Sequence, residues 1–229
     1  MSVQGGVSVE ATADRRQAIL DVAERLIRTK GYERMSIQEI QDELDISRGA
    51  VYHYFGSKED LLAAVMDRTS DTIMAVLRPI AGDPTLPADA KLQRIFLESG
   101  HWKTEQRDLM RRLVDVWMSD VNAIARLRLR RLTYHKLLPV LEAIVREGAA
   151  AGIFEVSSPE PTARVLADLL EATGGTAAEL LLQHEQQPQP LARIRAVFDA
   201  YDEAIERLLG MAPDSFTCMD DQTLRAWFA

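Results

Sequence analysis

Apolar residues recur along this chain at three- and four-residue intervals, the period of helices packed by one face, and no stretch alternates in the manner of a strand. Residues 14–30 carry a stripe of Ile19, Val22, Ala23, Leu26 and Ile27, opened by Asp14 as a cap and closed by Gly31 as a left-handed terminator. Ile37, Ile40 and Leu44 form the face of a short helix that follows Ser36. Val51 and Phe55 form that of another, which follows Ser47. From Ser57 a longer pattern runs through Leu61, Leu62, Val65, Met66, Ile73, Val76 and Leu77 and is expected to stop before Pro79. Beyond the Pro/Gly loop at 79–87, helices are expected over 88–103, 105–117 and 120–147, the last kinked at Pro139. Gly148 and Gly152 mark a turn, Pro161 sits near the start of a helix reaching about residue 184, and a last long helix covers 191–209. The tail allows two readings: a short helix capped by Asp221 and bearing Leu224, Trp227 and Phe228, or disorder. The pattern gives an all-α fold of about nine helices.

Residues 36–58 hold the most information. Ser36 and Glu39 have capping-box spacing, Asp45 and Ile46 leave room only for a sharp reversal, and Ser47 is a second cap. With Val51 and Phe55 turned inward and Ala50 at the crossing, Arg48, Gly49, Tyr52 and His53 fall on the outer face of the second short helix. A helix-turn-helix with such a face fits a major groove, which is wide enough to admit one helix. Arg48 has the geometry for a bidentate guanine contact, and Gly49 permits close approach. Tyr52 and His53 suit phosphate, sugar or base edges, while Tyr54 faces the core. Ser36, Ser47 and Lys58 are expected as phosphate clamps, Lys58 lying in the first turn of a helix whose N-terminus favours an anion. Arg15 and Arg16 are either backbone contacts or solvated charges.

The run SRGAVYHYFGSKEDL at 47–61 resembles the signature of the TetR (tetracycline-repressor) family of transcriptional regulators, through Tyr52, His53, Tyr54, Phe55, Lys58 and Leu61. The helix over 14–30 and the pair Gly31-Tyr32 also match, so the specific likeness covers about 50 residues. The resemblance implies a homodimeric regulator, most simply a repressor, that binds a pseudo-palindromic double-stranded operator and is released by a small effector bound among its middle helices.

The net charge of −8 runs against a nucleic-acid binder, and between Asp14 and Asp60 eight basic residues meet ten acidic ones. The face each charge occupies therefore matters more than the sum. The 13 N-terminal residues have neither the basic start nor the apolar segment of a signal peptide. No apolar run reaches the roughly 18 residues a membrane helix needs, and the single cysteine, Cys218, forms no internal disulfide. A cytoplasmic protein without membrane association is expected. The expected organisation is a DNA-binding domain over 14–60, an effector-binding and dimerisation domain over 61–210, and flexible or weakly ordered tails at 1–13 and 211–229.

In the second domain Phe96, His101, Trp102, Met110, Trp117, Met118 and Tyr134 fit either a plain core or the wall of a cavity for a hydrophobic or aromatic ligand, with His101 and Tyr134 as polar anchors. Arg126, Arg128, Arg130 and Arg131 spread around one helix and read as solvated, unless one turns inward to an anionic ligand. Gly174 and Gly175 lie mid-helix, where each costs about 1 kcal/mol relative to alanine. A close helix approach would offset that cost. Leu170, Gly174, Gly175, Ala178, Leu181, Val197 and Tyr201 are thus expected in a four-helix dimer interface, packing inside the monomer being the other reading. The four histidines are scattered, and there is no phosphate loop, nucleophile motif or metal-ligand spacing. No cofactor or metal is expected, and an enzyme is disfavoured. A ligand-independent regulator or activator with a packed second domain stays open.

Overall fold

The computed structural model describes residues 4–119 and 123–229, with some helical positions, among them Trp117 and Arg128, described by backbone alone. Ten helices and no strand are present among the described residues: α1 (Gln4–Lys30), α2 (Ile37–Leu44), α3 (Arg48–Tyr54), α4 (Lys58–Ala81), α5 (Ala88–Glu105), α6 (Arg107–Met118), α7 (Ala123–Ala150), α8 (Pro159–Gln186), α9 (Leu191–Leu209) and α10 (Asp221–Phe228). They form two compact units. The first comprises Met1–Thr69 with Asp108–Arg130, and the second Ser70–Arg107 with Arg131–Ala229. The grouping departs from a division at residue 60: α6 goes with the first unit, where Leu109, Leu113 and Val116 join its core, and the start of α7 is grouped with it.

The core of the first unit is built from the stripe of α1 (Ile19, Leu20, Ala23, Ile27), from Ile40 and Val51 of α2 and α3, and from Leu61, Leu62 and Val65 of α4. The first helix begins at Gln4, not at Asp14, so the expected flexible stretch over 1–13 has helical backbone from residue 4 onward, while residues 1–3 lie outside the described residues. Asp14 is therefore not a cap, since the helix already runs through it. Gly31 closes the helix at φ 85°, donating to the Ile27 carbonyl at 2.9 Å.

In the second unit Leu92, Ile95, Leu141, Ile144, Leu166, Phe198 and Ile205 are buried together, the contributions of α5, α7, α8 and α9. Two prolines lie inside helices. Pro79 falls in the last turn of α4, which continues to Ala81 because buried Ile80 anchors that turn and only one ladder bond is lost. Pro139 lies within α7, which runs on to Ala150. Lys91, almost fully buried, is held by both carboxylate oxygens of Glu147 at 2.7 and 2.6 Å.

The C-terminal segment is ordered, which corrects the expectation of a flexible tail at 211–229. Its backbone groups are satisfied by side chains of the helices beneath. Glu206 accepts from the amides of Ser215 and Phe216, and Asp202 from that of Cys218. Gln93 both donates to and accepts from Thr217. Asp220, not Asp221, caps α10 through the Thr223 amide at 2.8 Å. Leu224, Phe228 and Phe216 are buried, the last edge-on to Phe96 at 4.8 Å. Burial pushes the Cys218 thiol above its ordinary value, with Asp202 beside it acting in the same direction, so this cysteine is an inert part of the packing.

Gly148 of α7 is irreplaceable for steric reasons, since a Cβ there would meet the Phe154 ring at 2.1 Å. Alanine usually strengthens a helix where it replaces glycine. Here Gly148→Ala is expected to lower stability by about 1–3 kcal/mol through overpacking. Urea unfolding checks this, and a gain in stability would refute it.

Candidate nucleic-acid interface

Ser36 begins α2 with a full capping box. Its hydroxyl accepts from the Glu39 amide at 3.3 Å, and the Glu39 carboxylate accepts from the Ser36 amide at 3.0 Å and hydroxyl at 2.8 Å. Lys30 of α1 pairs with the same carboxylate, and Arg25 pairs with Glu43, so two ion pairs fix α2 against α1. The reversal to α3 is made by Asp45 in the left-handed region (φ 51°, ψ 50°), which its short polar side chain tolerates better than most. Ser47 then caps α3 through the Ala50 amide at 3.2 Å. Ser57 caps α4 through the Asp60 amide at 3.0 Å.

This geometry splits α3 into two faces. Val51 is fully buried, and so is Phe55 at the helix end, while Arg48, Gly49, Tyr52 and His53 are exposed, Tyr52 by 37%. Tyr54 is half-buried and takes the edge of His53 at 5.3 Å. A Cβ at Gly49 would come no nearer than 3.9 Å to Ser47 Oγ, so nothing inside the chain requires glycine there. All seven residues read from the sequence as DNA contacts thus lie on α3 or at the ends of the helices beside it. Ser36 and Ser47 are already engaged as caps.

The cations sort by partner. Arg25, Arg28, Lys30 and Arg68 lie on carboxylates. Arg16, Arg48 and Lys58 instead lie on rings: over Phe55 at 5.2 Å, Tyr52 at 5.5 Å and Tyr32 at 4.5 Å. Arg34 donates to the Lys30 carbonyl at 2.9 Å. Among the described residues Arg16, Arg48 and Lys58 thus stand at α3 and its ends on rings and not on carboxylates, so the net acidity of the chain does not describe this face. A hollow of about 370 Å³ is lined by Asp21, Glu24, Arg25, Arg28 and Arg68, and Arg68 there pairs with Asp21 and Glu24.

The residues read as a ligand wall divide between the units. Phe96, His101, Trp102 and Tyr134 lie in the second; Met110 and Met118 lie in the first with Trp117, whose side chain is outside the described residues. Met110 packs against the first core, and Phe96 is buried in the second against Phe216. His101 is bonded through Nε2 to Asp220 at 2.7 Å. Burial works against ionisation of Asp220, yet the bonds from Thr223 and His101 hold its carboxyl below the ordinary range. Two of the expected ligand contacts are thus engaged by the C-terminal segment, whose long-range hydrogen bonds leave no periodic trace in the sequence. Among the described residues no group of three or more His, Cys, Asp or Glu could hold a metal ion, and no helix is long and apolar enough to cross a membrane.

On α8, Ala178 and Leu181 already pack inside this chain's own core, whereas Leu170 and Gly175 are half-buried and Gly174 is exposed. Val197 and Tyr201 of α9 are half-buried, and Tyr201 bonds Thr176 of α8 at 2.8 Å between hydroxyls. A Cβ at Gly174 or Gly175 would meet nothing within 4 Å. Packing within the chain does not account for these glycines.

Comparison with known proteins agrees with this geometry. Residues 19–65 match the model of "Bacterial regulatory proteins, tetR family". An HTH-type transcriptional repressor of Mycobacterium tuberculosis is 33% identical over 70 residues, 31% of this chain and 37% of that protein. The matched stretches span between 19% and 40% of the first four curated relatives. Over the whole fold, FadR from Bacillus subtilis in complex with stearoyl-CoA superposes with a TM-score of 0.60 at 17% identity, covering 86% of this chain and 98% of that one. The SmeT–triclosan complex superposes with a TM-score of 0.60 at 21% identity, covering 90% and 95%. The likeness to the tetR family of bacterial regulatory proteins is thus carried by residues 19–65, and the likeness beyond that stretch is one of fold.

The capping box also has a pH signature. Glu39 is drawn from 4.5 down to about 2, first by the Lys30 hydrogen bond and then by those of Ser36. A depressed folded-state value means that its contribution is complete above pH 4.5 and lost as pH falls toward 2. Stability should therefore fall more steeply with acid over that window in the wild type than in Glu39→Gln. Thermal melts at stepped pH check this, and parallel curves would refute it.

Proposed function

We propose that the protein is a DNA-binding transcriptional regulator, a repressor, which acts as a homodimer and presents the outer face of α3 from each copy to successive major grooves of a pseudo-palindromic duplex. One observation carries this reading: Arg48, Gly49, Tyr52 and His53 are exposed together on a helix whose opposite side is locked into the core. In this reading Arg48 pairs with guanine, and Tyr52 and His53 meet phosphate, sugar or base edges. Gly49 admits the groove wall, and Lys58 holds a phosphate beside the start of α4. Ser36 and Ser47 contribute through the helix ends they cap. The duplex recovered from a random pool serves as the probe. Arg48→Ala should cost about 1–3 kcal/mol and relax discrimination at one base pair. Lys58→Ala should weaken all sequences alike and flatten the salt slope by about one. Unchanged affinity after Tyr52→Ala and Lys58→Ala would remove the reading.

The dimer is proposed on α8 and α9. Two mid-helix glycines at which an added Cβ would meet no described residue suit the close crossing of a second copy. Replacing Gly174 and Gly175 by alanine should weaken the dimer about tenfold or more in sedimentation equilibrium. If instead the dimer is unchanged and the melting temperature rises, as alanine in a solvent-facing helix would give, the glycines do not face a partner.

The effector is proposed to be a small hydrophobic or aromatic molecule bound in the second unit, with half-buried Trp102 and Tyr134 as the remaining candidate contacts. Two proteins of the same fold hold stearoyl-CoA and triclosan, which supports the reading. A ligand would act by binding more tightly to the form in which the two α3 helices are wrongly spaced for DNA, with α4 as the connecting element. The engagement of Phe96 and His101 by the C-terminal segment favours a second reading, a regulator with a packed second unit and no effector. Screening small molecules for release of the selected duplex separates the two.

A further inference from the structure

Cation–ring pairs of significance occur about once per 70–80 residues. Among the described residues the first unit holds three such pairs, and each involves α3, the residue that ends it or the start of α4. The tightest joins Lys58 to Tyr32, two residues 26 positions apart in sequence. The Lys58 ammonium stands 4.5 Å from the centre of the Tyr32 ring and donates to the Glu33 carbonyl at 3.2 Å. Tyr32 itself is buried at the end of α1, where Gly31 turns the chain, and burial raises its phenol above the ordinary value, with Glu59 and Glu33 adding to the shift. The ring is therefore neutral and fixed.

We infer that Tyr32 is a positioning residue for DNA binding: its ring and the adjacent Glu33 carbonyl form a seat that holds the Lys58 ammonium at the start of α4. The inference rests on the reading of Lys58 as a phosphate contact. A lysine side chain ordinarily gives up substantial rotamer freedom when it binds a phosphate. Here the ring and the carbonyl restrict that freedom before DNA arrives. The ammonium has three donors; one goes to the carbonyl, one can face the ring, and one remains for a phosphate oxygen. Neither the ring nor the carbonyl neutralises the charge, so the seat orders the cation without spending it, unlike the carboxylates that hold Arg25 and Lys30.

The test is a double-mutant cycle on the full chain, with a mixed-sequence duplex of roughly 30 base pairs, long enough for two half-sites one helical turn apart, at low salt. Tyr32→Phe keeps the ring and should bind as the wild type does. Tyr32→Leu should bind about threefold to tenfold more weakly, and in a Lys58→Met background it should have no further effect. Equal weakening by Tyr32→Leu in both backgrounds would show a merely structural role and overturn the inference, as would wild-type affinity for Tyr32→Leu. If Lys58→Met changes neither affinity nor salt slope, the phosphate reading of Lys58 falls and the inference falls with it. If Tyr32→Leu does not fold, the wild type and Tyr32→Phe still decide. The Lys58 ε-methylene protons should be shifted upfield by the ring current in both, and ordinary shifts would overturn the seat.

Discussion

A helix of seven residues has no stability of its own in water. The orientation of α3 therefore depends on the burial of Val51 and Phe55 against α1, α2 and α4, and everything argued about the outer face follows from that inward anchor. The left-handed Asp45 and the caps at Ser36, Ser47 and Ser57 serve the same end, since each fixes where a short helix starts or turns. With the inner side locked, Arg48, Gly49, Tyr52 and His53 have no place except the surface. The outer face is rigid because its back is part of a core.

Charge placement is the second constraint. An acidic chain can meet a polyanion only if its cations are sorted by location. Carboxylates consume Arg25 and Lys30 in holding α1 to α2, Arg68 in holding α4 to α1, and Arg28 within α1 itself. Aromatic rings and backbone carbonyls take Arg16, Arg34, Arg48 and Lys58, which leaves the charge of each available. The same side-chain type thus does structural work on one part of the first unit and remains usable on another.

The first unit was legible in the sequence because its signals are local. The spacing of Ser36 and Glu39, the cap at Ser47 and the alternation of Val51 with Tyr52 and His53 each act within one or two helical turns. The second unit was legible only in outline. Its helices follow from periodicity, and α9 lies at 191–209 as read. The C-terminal segment did not announce itself, because eight residues of α10 are too few for a firm pattern and the segment is held by side chains whose spacing from it follows no helical period, Asp202 and Glu206 before it and Gln93 far upstream. For the same reason Phe96 and His101 looked like ligand contacts: nothing near them in sequence points to Phe216 and Asp220. The start of α1 was missed because Asp14 resembles a cap, whereas the helix runs through it.

The central claim is that the side of α3 bearing Tyr52 and His53 enters the major groove. A photocrosslinking group placed at position 53 tests it most directly, with a second placed at position 38 on exposed Gln38 of α2 as control. The account predicts crosslinks from position 53 to major-groove base edges at two sites about one helical turn apart, and few or none from position 38. Crosslinks to bases from position 38 with none from position 53 would contradict it.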